Sequence, residues 1–276
     1  MSTVSVLIPI YYKENTEVIL KCFNSIALQT KIPDEVVCAL DDPSTNEIEK
    51  ALDKVKEETK LNIVRVYCKR GRGLGAVLEV GVKKCTCDYI ARMDVDDIAI
   101  ETRLEKQIDF LDKNTTIDVV GSNIAEFSDS IENITYFRNV PENDADCKKM
   151  LRLRDPINHM TAMYRRESIL EAGNYNTDMK SCEDTELWTS FYAHNLKFAN
   201  IQEILVYVHA GSDMYKRRGG KKSFTYIRKA INYKRKVGLI NVFNSCFQIV
   251  ANYFILIVFS NRLRGFVYET FLRKKK

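Results

Sequence analysis

The chain predicts an α/β protein: a mainly parallel sheet flanked by helices, followed by a C-terminal helical extension. Three observations carry that expectation. Short β-branched apolar runs alternate with helical patterns at roughly 25–30-residue spacing over the first hundred positions, the rhythm of βαβ units. Two of those runs lead directly into acidic clusters, and in an open parallel sheet the strand ends are where ligands bind. The charge then changes sign near residue 213. Residues 214–276 carry 16 Lys/Arg against one acid, Glu269, while the remaining 26 bases meet 36 acids, so a net +5 joins a −10 body to a +15 tail. A composition of 45% hydrophobic and 29% charged residues supplies a core and excludes wholesale disorder.

Val4–Ile10 (VSVLIPI) is apolar and β-branched and has a proline near its end, so it reads as a buried first strand. Val18, Ile19, Cys22, Phe23, Ile26 and Ala27 follow at helical spacing. Residues 35–40 form a second strand running into Asp41-Asp42-Pro43-Ser44-Thr45, where Ser44 or Thr45 can cap a helix over 47–59. Residues 61–68 are a third strand, and a Gly-spaced segment at 71–75 opens a helix to 84. Residues 88–93 are a fourth strand, running into Asp94-Val95-Asp96-Asp97. Beyond residue 100 the alternation loosens. A helix over 100–113, a short strand at 118–121, irregular sequence to 158, helices at 166–172 and 183–195 and a strand at 202–208 complete the body. No repeat or Pro-rich linker divides it. The composition shift near 213 is the expected boundary between a body, 1–213, and a tail, 214–276.

Acids at adjacent strand ends repel one another unless water, a cation or hydrogen-bond donors separate them. Three carboxylates within Asp94–Asp97 suit a hard cation such as Mg²⁺ or Mn²⁺, which usually brings a phosphorylated substrate with it. Solvated, helix-capping turns are the bland reading, and it has more force for Asp41-Asp42 than for the Asp94 cluster. The eight cysteines are scattered without a CxxC pair, as expected of small core hydrophobes. Residues 1–5 lack a basic n-region, so a cytoplasmic, reducing setting is expected.

The residues Val4 to Tyr11, the Leu40-Asp41-Asp42-Pro43-Ser44-Thr45 turn and Tyr89-Ile90-Ala91-Arg92-Met93-Asp94-Val95-Asp96-Asp97 resemble glycosyltransferase family 2, the inverting nucleotide-sugar enzymes of GT-A fold. Val120-Gly121-Ser122, Pro156-Ile157-Asn158-His159, Glu183-Asp184-Thr185-Glu186-Leu187-Trp188 and Met214-Tyr215-Lys216-Arg217-Arg218-Gly219-Gly220 extend the resemblance in order over 1–235. They look like the subgroup of bacterial polysaccharide and O-antigen clusters. The resemblance implies a nucleotide-binding part over 1–98 and an acceptor part over 99–213.

By that resemblance, Pro9, Tyr11 and Glu14 line a uridine pocket and Asp42 accepts from the uracil N–H. Pro43 stands where the family usually has glycine, which stiffens the turn and leaves both carboxylates. Gly71-Arg72-Gly73-Leu74-Gly75 matches the segment beside the nucleotide. Arg72 is the substitute for a basic residue usual where Leu78 stands, and an ordinary loop into a helix is the competing reading. Asp94-Val95-Asp96 matches the DxD motif. Asp96 then binds the Mn²⁺ or Mg²⁺ that bridges the donor phosphates, and Asp94 contacts the ribose or the metal's water shell. His209 either completes the metal sphere or is a satisfied strand-end histidine. Asp184 is implied as general base, with Glu183 beside it in the acceptor site, although Ser181-x-x-Asp184 also reads as a capping box. Trp188 either stacks on an acceptor sugar or fills core. Arg217 and Arg218 match a mobile basic segment closing over the diphosphate, or form an exposed basic turn.

Residues 237–261 are 25 positions without a charge, with Asn241, Ser245, Gln248 and Asn252 as one narrow polar stripe and basic residues on both flanks. Such a helix suits an anionic cytoplasmic leaflet. Packing on the body or in a homodimer, or a single membrane span, are the other placements. Taken together, the sequence predicts a divalent-metal-assisted inverting glycosyltransferase. It is expected to move a hexose or N-acetylhexosamine from a UDP-sugar to a polyprenyl-diphosphate-linked saccharide, peripheral on the inner face of a bacterial membrane. A sugar-phosphate nucleotidyltransferase is the rival enzyme, disfavoured because no Gly-rich loop with a following base occurs near residues 5–20. A nucleic-acid-binding protein is the rival outside catalysis. No nucleic acid is expected, since the basic tail lacks base-stacking or groove-reading motifs.

Overall fold

The computed structural model describes residues 2–210, 220–259 and 274–275. Strands β1 (Val4–Ile10), β2 (Glu35–Asp42), β3 (Ile63–Lys69) and β4 (Tyr89–Arg92) pair in parallel, with β1 between β2 and β4 and with β3 beyond β2. Their connections are α1 (Thr16–Ala27), α2 (Asn46–Thr59) and α3 (Leu74–Lys84), as the alternation predicts. The N-caps follow the sequence chemistry: the Asn15 and Thr45 side chains accept from the backbone N–H groups of Glu17 and Ile48. Along β1 the faces alternate. Leu7 joins the cluster containing Val37, Ile90 and Trp188, while Val6, Ile8 and Ile10 join Ile19, Phe23 and Leu52 on the opposite side. The two faces are therefore dry on both sides, as a parallel strand requires.

The sheet continues past β4 with antiparallel β8 (Met163–Arg165) and β6 (Val119–Phe127), and β9 (Phe198–His209) lies parallel to β6. β5 (Ile98–Ala99) pairs with β9, and β7 (Ile134–Arg138) forms a hairpin with β6 and carries β10 (Lys274–Lys275) on its outer edge. Gly121 is where β6 and β9 close: a Cβ there would stand 2.4 Å from Asn200 Oδ1 and 2.8 Å from Ile157. Helices α4 (Arg103–Lys113), α5 (Asp144–Leu151), α6 (Arg166–Glu171) and α7 (Glu183–Ala193) pack around this half.

Two expectations change here. The stretch read as irregular to 158 holds the second half of β6, β7 and α5. Ser122 and Asn123 interrupt the apolar pattern of β6 and are satisfied within the fold, Ser122 Oγ donating to the Asn123 carbonyl at 3.0 Å and Asn123 Oδ1 accepting from the Val140 N–H at 2.9 Å. The uncharged run 237–261 is not one helix from its start. α8 (Lys221–Lys236) ends at a turn around Gly238 (φ 77°), and α9 (Val242–Tyr253) begins after Asn241, whose side chain accepts from the Asn244 N–H at 2.8 Å. A π-turn, Phe254–Val258, follows α9. Ile231, Leu239 and Ile240 join the same cluster as Leu7 and Trp188, so α8 and the turn after it share the body's core.

Candidate active site

The carboxyl ends of β1, β2 and β4 converge on one edge of the sheet. Pro9 is buried in β1 opposite Ala39, two residues before Tyr11, whose ring is 53% exposed and meets the Tyr12 ring edge-on at 4.6 Å. The Arg70 guanidinium lies 3.7 Å above the Tyr12 ring and donates to the Pro43 carbonyl, joining the β1 and β2 ends. Asp42 is exposed at the tip of β2, while Asp41 is buried and accepts from the Tyr12 N–H at 3.4 Å. The acid free to face a ligand is therefore Asp42.

At the end of β4, one ligand atom from each of Asp94, Asp96 and Asp97 lies within 4.8 Å of the others. Arg92, 1% exposed, grips Asp94 with both terminal nitrogens at 2.7 and 2.5 Å. Burial, and then the neighbouring Asp94 charge, push the Asp96 carboxyl up to about 6. Asp97 is driven well above the usual carboxylate range, first by burial and then by Asp94 and Asp96. Its Oδ1 accepts from the His209 N–H at 3.0 Å, and its Oδ2 is a buried oxygen with no partner among the described residues.

These residues fit a hard divalent cation. Three crowded oxygen donors and an orphaned carboxylate oxygen are what such an ion relieves. His209 lowers the Asp96 pKa, so it is close, yet its ring is not among the three clustered ligands. Its Nε2 lies 3.0 Å from the Ser128 carbonyl, to which it donates. Glu14 also faces this cluster, raising the Asp96 pKa.

Across from it stands the start of α7. Ser181 does not cap this helix: the N-cap position is Cys182, in the left-handed region at φ 63°, with no side-chain cap bond. Asp184 instead accepts from the Thr185 N–H at 2.8 Å, and its carboxyl is pushed up to about 8, first by burial and then by Asp155 and Glu183. Glu183 is raised too, chiefly by burial, and feels both Arg92 and Asp94. Arg92 also acts on Asp184, so one buried guanidinium couples the β4 acids to the α7 acids.

Asp155 and Lys234 were not visible as site residues in the sequence. Asp155 accepts from Thr185 Oγ1 at 3.0 Å through Oδ2 and leaves Oδ1 buried and unpartnered among the described residues. Lys234, on α8 and 3% exposed, faces Asp155, Asp184 and Cys182, and burial lowers its pKa. No local pattern announces either residue, because they lie 29 and 50 positions from Asp184 in the chain.

The Gly71–Gly75 segment is packed against the same region. Gly73 takes φ 92° at the start of α3, and a Cβ on Gly75 would stand 3.0 Å from the Asn176 carbonyl and 3.1 Å from that of Met179. Lys180 Nζ donates to the Gly71 carbonyl at 3.1 Å. Arg72 is exposed beside this contact. Trp188 corrects an expectation: it is fully buried, edge-on to His159, Phe191 and Phe198 at 5.7–6.4 Å, so it fills core and offers no face to a sugar. Arg217 and Arg218 lie outside the described residues.

A sheet of this order with carboxylates gathered at its parallel strand ends defines a transferase of GT-A fold. The chain belongs to glycosyltransferase family 2: the "Glycosyl transferase family 2" model matches residues 5–173. It is similar to an uncharacterized glycosyltransferase of Haemophilus influenzae, 33% identical over 270 residues, covering 98% of this chain and 99% of that one. It is also similar to the UDP-Gal:alpha-D-GlcNAc-diphosphoundecaprenol beta-1,3-galactosyltransferase of Escherichia coli, at 28% identity over 270 residues and 98% and 96% coverage. Among solved structures, S. aureus TarS 1–349 in complex with UDP-GlcNAc superposes with a TM-score of 0.69 at 19% identity, over 97% of this chain and 76% of that one. At that identity the likeness speaks to the fold.

Proposed function

We propose that this glycosyltransferase moves a hexose or N-acetylhexosamine, with inversion, from a UDP-sugar to a saccharide carried on a polyprenyl diphosphate. The setting is bacterial surface-polysaccharide synthesis at the cytoplasmic face of the membrane. The observation that carries the reading is Arg92. Its bidentate hold on Asp94 and its action on Glu183 and Asp184 tie a donor-phosphate end to a base in one cleft. The E. coli relative, whose name specifies UDP-Gal and a diphosphoundecaprenol acceptor, supports the donor and acceptor classes.

In this reading Tyr11 and Asp42 receive the uracil, the ring by stacking and the carboxylate by accepting its N–H. Asp94, gripped by Arg92, accepts from the ribose hydroxyls. Asp96, with His209 beside it, would hold Mg²⁺ or Mn²⁺, which offsets the charge developing on the departing diphosphate. Arg72, Arg217 and Arg218 supply further positive charge on the donor side. Asp184 accepts the proton of the attacking acceptor hydroxyl, and its raised pKa suits that task near neutral pH. Glu183 orients the acceptor. A nucleotidyltransferase has no use for a second acid pair across the cleft, and this disfavours it.

UDP release from a panel of UDP-sugars, measured with and without a polyprenyl-diphosphate saccharide, tests the proposal. Acceptor-dependent release, with NMR showing an inverted anomeric centre in the product, is the expected result. Release that ignores the acceptor for every donor would refute it.

A further inference from the structure

α9 is inside out for a surface helix of a water-soluble body. Two of its polar residues face the protein: Ser245 is 2% and Gln248 8% exposed, and Gln248 Nε2 donates to the Arg152 carbonyl at 3.0 Å. Most of its large apolar residues face outward, Ile249 excepted. Phe243 is 79% and Phe247 64% exposed, and Val250, Phe254 and Val258 continue the row. Steps of four, three, four and four residues place these five side chains along one side of α9 and its π-turn. The Phe254–Val258 segment is docked at its other side, where Leu256 is buried and its carbonyl accepts from the Gly220 N–H at 3.1 Å. The apolar row is therefore held outward by contacts that use the helix's polar and inner positions.

The charge on α8 is one-sided. On α8, Lys221, Lys222, Arg228, Lys229, Arg235 and Lys236 are all exposed, and the single acid after residue 213 is Glu269. A second copy of the chain docking here about a two-fold axis would bring two such basic regions together, which like-charge repulsion opposes. An anionic lipid surface satisfies both halves of the pattern, taking the apolar row into its acyl boundary and the lysines and arginines at its headgroups. The geometry is that of a helix lying in the interface: α9 and its turn span about 25 Å at 1.5 Å per residue, and among the described residues no helix is long and apolar enough to cross a membrane.

We propose that the outward face of α9 and its π-turn, centred on Phe243 and Phe247, docks this enzyme onto an anionic bilayer. Choosing a bilayer as occupant rests in part on the lipid-linked acceptor proposed above. The face itself is observed independently, and the binding test needs neither donor nor acceptor, so the two readings fail separately.

The full chain is sedimented with vesicles of phosphatidylcholine alone and of phosphatidylcholine mixed with phosphatidylglycerol. Expected are pelleting with the mixed vesicles, weakened by salt, and a loss of about ten-fold or more in binding for Phe243→Ser/Phe247→Ser. Both side chains are exposed, so the variant should melt with the parent. A second variant reads insertion directly. Trp188 is buried, so Phe247→Trp adds the one exposed indole, and brominated lipids should quench it. Absence of pelleting, equal pelleting of the double variant, an unquenched indole, or a dimer in ultracentrifugation that the double substitution dissolves would each overturn the proposal.

Discussion

Asp184 carries two predictions that point in opposite directions. As the proton acceptor it is indispensable, so Asp184→Asn should lower kcat by at least about a hundredfold while UDP binding persists. Normal turnover would remove the base assignment. As a buried acid it is a burden on the fold. Its pKa is about 8 in the folded chain and about 3.9 in an unfolded one, so the folded state holds the proton more tightly and stability falls as pH rises from about 4 to about 8. Asp184→Asn cannot ionise. It should melt above the parent at pH 8, by on the order of a few kcal/mol, with the gap closing toward pH 4. A Tm series across that range decides it. Asp96→Ala should abolish the dependence of UDP affinity on added Mn²⁺, as chelation does in the parent, and calorimetry showing unchanged metal dependence would exclude Asp96 as a ligand. Asp94, Asp96 and Asp184 are legible in sequence because acids follow an apolar strand or open a helix. Arg92 is read as one more strand residue, and only the fold shows it beneath both acid groups.

At the scale of elements, α8 brings Lys234 to Asp184 and Asp155. A cation there favours the ionised base; burial raises the Asp184 pKa most, Asp155 and Glu183 raise it further, and Arg92 and Lys234 oppose them. Lys234→Met keeps the volume and removes the charge, so the acidic limb of the kcat–pH profile should move to higher pH, and Lys234→Arg should restore much of it. An unmoved limb would leave Lys234 as packing alone. β1, β2 and β4 could be read from sequence because both of their faces are dry, and β3, half-exposed at the sheet edge, from its apolar and β-branched residues. α5 was missed although Asn143, Asp144 and Asp146 mark its start and Lys148 and Lys149 its end. It buries just Cys147 and Leu151, too thin a stripe for periodicity to register. The polar stripe of 241–252 was legible as a stripe, but which side it turned to the protein was not. Amphipathicity does not say which face meets water.

For the whole molecule, the charge border and the packing border are different places. Charge changes sign near residue 213, whereas Ile231, Leu239 and Ile240 lie in the cluster that also holds Leu7, Val37 and Trp188. The basic tail thus begins as part of the core and still packs Ile249 against it, with Leu256 buried further on. A chain ending at 236 keeps α8 and Lys234 but loses Leu239 and Ile240, which are 4% and 5% exposed. At about 1.5–3 kcal/mol for each buried side chain, and roughly 2–4 °C per kcal/mol for a protein of this size, its Tm should fall by about 10 °C. A chain ending at 241 keeps Leu239 and Ile240 but gives up Leu256, 1% exposed, and the partly buried Ile249, so it should melt below the full chain and clearly above the 236 chain. Scanning calorimetry of the two truncations separates the borders. If the 241 chain melts as low as the 236 chain, Leu239 and Ile240 add nothing to the core; if both melt with the parent, no part of the chain after 236 does.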